Sequence, residues 1–67
     1  MFRLHDVVRL KKDNTEYGIP STSIGAIVDV LNDGEAYTVE FVDENGDTYE
    51  AALFTQFAAD DLEAVTE

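Results

Sequence analysis

The chain has 67 residues, no cysteine and a formal charge of −11, from fifteen acids against four cations. That length makes one small domain, residues 1–67, which hides only about 60% of its unfolded surface and gains nothing from disulfides or a Cys/His zinc site. The charge is uneven: Arg3, Arg9, Lys11 and Lys12 are the only cations, and from Asp13 onward there are fourteen acids and no Lys or Arg. Nucleic acids and anionic membranes need cations at the contact, so binding to either is not expected. A basic or neutral protein surface is the expected macromolecular partner, although acidity also serves plain solubility. No apolar run approaches the roughly 18 residues of a membrane span. MFRLHDVVRLKK lacks the continuous apolar segment of a signal peptide, and a cytoplasmic setting is the expectation.

Asp6–Leu10 (DVVRL) reads as a first strand, with Val8 and Leu10 on one face. Asp13–Ser23 (DNTEYGIPSTS) reads as a loop. Pro20 bars it from a central strand and, at roughly ten residues, it is longer than most connections. Ile24–Leu31 (IGAIVDVL) is apolar at nearly every position, as expected of a strand covered on both faces, and Gly25 suits a bend or a close approach. Asn32-Asp33-Gly34 is a turn. Glu35–Val42 (EAYTVEFV) alternates cleanly, with Tyr37, Val39 and Phe41 on one side. Asp43–Gly46 turns again, and Asp47–Leu53 (DTYEAAL) returns as the third strand of an antiparallel meander running from Gly25 to Leu53.

Beyond it, Phe54–Ala59 reads either as an extension of the strand or as the start of a helical turn. Ala58–Leu62 forms one short helical or 3₁₀ turn, capped by Asp60, and Glu63–Thr66 a last edge strand. The predicted core is Val8, Leu10, Ile27, Val30, Tyr37, Val39, Phe41, Leu53, Leu62 and Val65. Five short strands, a long early loop and a helical turn before the last strand describe an all-β, SH3-like five-stranded barrel with a central meander. The competing OB-type barrel usually needs a longer chain and a helix between its strands.

The segments HDVVRLKKD, EYGIP, IGAIVDVLNDGEAYTVEFVDENGDTYEAAL and ADDLEAV resemble the DUF4926 family of short bacterial proteins, over about residues 4–65. His5-Asp6-Val7-Val8, Gly25 and Ala36–Asp43 carry the likeness most specifically. The resemblance brings no activity, cofactor or catalytic residue, and implies short, often stand-alone proteins compatible with an accessory or antitoxin-like role. Leu53-Phe54-Thr55-Gln56-Phe57 departs from the family pattern in its two extra phenylalanines, which suggests a surface particular to this chain. Likeness to other SH3-like barrels, KOW-type domains among them, is an analogy of fold only.

No constellation points to catalysis. His5 is the sole histidine and nothing in the spacing brings it to a serine and an acid. Counting back from Gly46 puts Phe41 at the first position of a calcium loop, so Asp43–Asp47 reads as an ordinary turn and no metal site is expected. Pairs such as Asp60-Asp61, or Asp29 with Glu40, would need a cleft to do acid–base work. No cofactor is implied. The leading expectation is a non-enzymatic protein-interaction module, antitoxin- or inhibitor-like toward a basic protein. Glu16, Tyr17, Phe54 and Phe57 would form its aromatic patch, with Asp60 and Asp61 as the charged flank. In the competing assignment Phe54 and Phe57 belong to the core or to a self-interface. The alternative functions are a structural homodimer or accessory subunit, and an acidic nucleic-acid mimic.

Overall fold

The computed structural model describes residues 2–65. Five strands, β1 (Val7–Leu10), β2 (Ile24–Leu31), β3 (Ala36–Val42), β4 (Phe57–Ala58) and β5 (Leu62–Ala64), form one antiparallel sheet in the order β4-β3-β2-β1-β5. The described residues contain no α-helix. Short 3₁₀ segments cover Asn32–Gly34, Glu50–Phe54 and Ala59–Asp61. The helical turn expected before the last strand is therefore present, but Asp60 lies inside it and caps nothing: its N-cap position is Ala58, without a side-chain hydrogen bond. The expected last strand Glu63–Thr66 begins one residue earlier, at Leu62, and Thr66 lies outside the described residues.

The alternating strands behave as their pattern dictates. Val8 and Leu10 of β1 and Tyr37, Val39 and Phe41 of β3 are buried, while Val7, Arg9 and Glu40 face out. Ala64, Val8, Gly25 and Phe41 are successive cross-strand partners over β5, β1, β2 and β3, and the row is buried from Val8 onward. Gly25 is the narrow point of that row. A Cβ there would lie 2.7 Å from Phe41 Cδ1, 2.7 Å from Val39 Cγ1 and 2.9 Å from the Glu40 carbonyl oxygen. The missing side chain is the space that the Phe41 ring occupies.

β2 changes phase partway. Ile27 pairs with Val39 but Asp29 pairs with Thr38, so one extra residue is accommodated between them as a β-bulge. Inward positions shift from Gly25 and Ile27 to Val30. The apolar run therefore does not mean that both faces are covered. Ile24 and Val28 are 47% and 42% exposed.

The expected third strand Asp47–Leu53 is corrected. Thr48 forms a single bridge to Val42, and the Tyr49 N–H donates to the Phe41 carbonyl at 2.9 Å. The chain then coils over Glu50–Phe54. Glu, Ala and Leu favour helical geometry, and Glu and Ala are depleted in strands. Tyr49 and Ala52, three apart, face the core, as a 3₁₀ turn requires. The third strand of the meander is instead β4, where Tyr37 pairs with Phe57 and Ala36 with Ala58.

The core contains Val8, Leu10, Ile27, Tyr37, Val39, Phe41 and Leu62 as expected, and also Ile19, Ala52 and Phe57. Val30, Leu53 and Val65 are only half-buried. Tyr37 is fully buried. Its hydroxyl accepts the Phe2 N–H at 3.2 Å and its ring meets that of Phe2 edge-on at 5.4 Å.

Two outcomes test this packing. Gly25→Ala drives a Cβ into a backbone oxygen that cannot swing aside, so denaturant unfolding should show a loss of about 1–3 kcal/mol. Tyr37→Ala and Phe41→Ala should each cost about 3–5 kcal/mol, enough to unfold a marginal domain. Circular dichroism showing both alanine variants native-like and cooperative would mean that the inner face is assigned wrongly.

Candidate functional site

The long first loop is built around one small hairpin. Asn14 and Ile19 bond each other through both backbone pairs, at 2.8 and 2.9 Å, and Gly18 takes φ +68° to close the turn between them. The Asn14 side-chain oxygen accepts the Tyr17 N–H at 2.9 Å. Glu16 and Tyr17 thus sit at the hairpin tip. Glu16 is exposed, while Tyr17 is half-buried against the core. Ile19 anchors the loop by full burial. Farther on, Asp13 accepts the Ser21 N–H at 2.7 Å, and Ser23 donates to the Pro20 carbonyl at 3.0 Å.

The connection from β3 to β4 is the other irregular element. Asp43 organises its start: Oδ1 accepts the N–H groups of Asn45 at 2.8 Å and Asp47 at 2.9 Å, an Asx-type turn. Gly46 follows at φ +84°. Farther along, the two phenylalanines part company. Phe57 is 3% exposed and packs edge-to-face on Phe41, with ring centres 5.4 Å apart. Phe57 belongs to the core, and its edge also reaches the cleft that Asp60 and Asp61 line. Phe54, at the end of the Glu50–Phe54 turn, is 90% exposed.

Two clefts open between these elements. One, of about 340 Å³, lies between the end of β1 and the turn before β5, with Lys11, Lys12, Asp13, Asp60 and Asp61 around it. The expected acidic flank therefore stands beside the only two lysines, and the cleft has no single sign of charge. The other, of about 490 Å³, lies between the first loop and the β3–β4 connection. It exists because Ile24 and Val42 are cross-strand partners, which brings Pro20 and Ser23 on one side to Asp43, Glu44 and Tyr49 on the other. Glu16, Tyr17 and Phe54 line neither cleft. Of the six expected residues, Phe57, Asp60 and Asp61 meet at the smaller cleft, and the other three lie outside both.

His5 is exposed and takes φ +74° in the turn before β1, with its backbone N–H donating to the Ile27 carbonyl at 2.8 Å. Among the described residues no three His, Asp or Glu side chains gather as metal ligands would, and no helix is long and apolar enough to cross a membrane.

The contrast between the two phenylalanines is measurable. Phe57→Ala should cost about 3–5 kcal/mol of stability, whereas Phe54→Ala should stay within about 0.5 kcal/mol of the parent. Comparable losses at both positions in urea melts would place Phe54 in contact with the core after all.

No curated protein and no solved structure matches this chain. The model of one family does, and it covers residues 4–62, from the turn before β1 into the first residue of β5. The chain belongs to the family described as a domain of unknown function, DUF4926.

Proposed function

We propose that this chain is a non-enzymatic protein-interaction module, antitoxin- or inhibitor-like, that covers a basic or neutral surface of a partner protein. The observation that carries the reading is Phe54. It is a large aromatic side chain left 90% exposed on a short turn whose other side is tied down by buried Ala52. Exposed aromatics on a rigid support make strong interface anchors, because little side-chain entropy is lost when they are buried. The charge supports a basic partner, since fourteen of the fifteen acids lie from Asp13 onward, where there is no Lys or Arg.

The strand order β4-β3-β2-β1-β5, the long β1–β2 loop and the 3₁₀ turn before β5 support an SH3-like architecture, in which the sheet curls on itself as a small barrel. In that reading the loops at one end form the binding side, and Phe54 with its neighbours Glu50 and Ala51 takes the place of the patch expected around Tyr17 and Phe57. The lack of cysteine fits a reducing compartment such as the cytoplasm without requiring one.

Affinity capture from the source cell tests this reading. The intact chain should retain a protein partner, less of it at high salt, and Phe54→Ala should reduce retention about tenfold or more with an unchanged melting temperature. A partner held equally well by Phe54→Ala overturns the role of Phe54. Absence of any partner, together with a concentration-dependent dimer in light scattering, overturns the module itself.

A further inference from the structure

The larger cleft has a chemistry of its own. Its lining is mixed: Pro20, Ile24, Val42 and Tyr49 supply apolar surface, Thr22, Ser23 and Asn45 are polar, and Asp43 and Glu44 are acidic. Ile24 is 47% exposed, so its apolar surface is open to solvent. No cation lines the cleft. Arg9 is the cross-strand partner of Ile24 on the outer face, but its guanidinium bonds Glu63 at 3.1 Å, which offsets its charge. Asp43 is held in place by its two backbone N–H donors, both to Oδ1, and neither occupies Oδ2. Apolar side chains beside a positioned carboxylate and a second, exposed one complement one kind of occupant.

We propose that this cleft binds an extended basic segment of a partner protein, placing an aliphatic or proline side chain on Ile24, Val42 and Tyr49 and a Lys or Arg against Asp43 and Glu44. The proposal rests on the reading of the chain as an interaction module and adds to it a second contact, at the base of the connection that carries Phe54. Charge decides between occupants. A second copy would bring another −11 to the rim and is repelled, and an acidic segment is repelled likewise. A basic segment gains from the whole field of the chain as well as from the two rim carboxylates. The cleft's share is apolar contact and register, while the carboxylates supply orientation and encounter rate.

The probes are three twelve-residue synthetic peptides: alternating lysine with leucine and proline, alternating lysine with serine, and alternating glutamate with leucine. Each is titrated into the full isotope-labelled chain at low salt and followed by backbone amide shifts. The lysine–leucine–proline peptide should move Thr22–Ile24, Val42–Asn45 and Tyr49 together. It should bind about tenfold more tightly than the lysine–serine peptide, and the glutamate peptide should move nothing. Asp43→Asn with Glu44→Gln should weaken binding about tenfold. Asp43 also supports its own turn, so Glu44→Lys alone and Ile24→Ser provide variants that leave that turn intact, and each should weaken binding as well.

Shifts spread evenly over all the acids, with lysine–serine binding as well as the apolar peptide, overturn the proposal in favour of diffuse charge attraction. Concentration-dependent shifts at the same residues without any peptide overturn it in favour of a second copy, and no shifts at the cleft overturn it outright. If Phe54→Ala abolishes partner capture while Glu44→Lys and Ile24→Ser leave it intact, this cleft fails but the module stands. If no partner is captured and the peptide still seats in the cleft, the cleft stands and the wider reading fails.

Discussion

The fold depends on an atom that is absent. At Gly25 the sheet has no side chain on its inner surface, and the Phe41 ring lies in that space, too close for a Cβ to fit. From there Phe41 meets Phe57 edge-to-face. That contact matters because β4 is only two residues long and pairs with β3 through two residues. So short a ladder has little cooperative strength of its own. The edge of the sheet is held by aromatic packing that begins at a glycine two strands away. On its other side Gly25 is the cross-strand partner of the buried Val8 in β1.

This explains why some of the fold was legible in the sequence and some was not. β1 and β3 alternate strictly, and their inner faces follow from period two alone. β2 conceals its phase because a bulge after Ile27 moves the inward set from odd to even positions. Reading Ile27 and Val30 both as core requires such a break, yet nothing in IGAIVDVL marks where it falls. Tyr49, Ala51 and Leu53 look like a strand face, and Tyr49 with Ala52 looks like a 3₁₀ face. The second pattern prevails because Tyr49 is already bonded to β3, and burying the small Ala52 beneath the turn closes the core. Ile19 escaped notice inside a polar loop, though an isolated aliphatic residue between a glycine and a proline is a signal of a loop anchored to the core.

The candidate site was harder to read, for a geometric reason. Phe54 and Phe57 are three residues apart, and their separation into surface and core is set by a change of conformation between them, from 3₁₀ turn to strand. No periodicity extends across such a change. The cleft at Ile24 and Val42 is not encoded in any one segment. Its acids read correctly as turn residues, since Asp43 does stabilise its own turn. Only the pairing of β2 with β3 places that turn beside the Pro20 loop, so the chemistry of the cleft is a tertiary property of residues that look ordinary in sequence.

Charge separates stability from binding. Packing holds the chain together: among the described residues the one ion pair, Arg9 with Glu63, is about half exposed at both partners, where such pairs contribute at most about 1 kcal/mol. Meanwhile a charge of −11 on 67 residues repels itself in the compact state. Added salt screens that repulsion and favours folding. The same screening removes the attraction of a basic partner. Salt would therefore act with opposite signs on the free chain and on the proposed complex, whereas apolar contacts through Phe54 or Ile24 would be far less sensitive to it. A fold that rests on the packing of Gly25 and Phe41 does not draw on its surface charge, which is why the acidic surface can serve the proposed binding without being part of what holds the chain together.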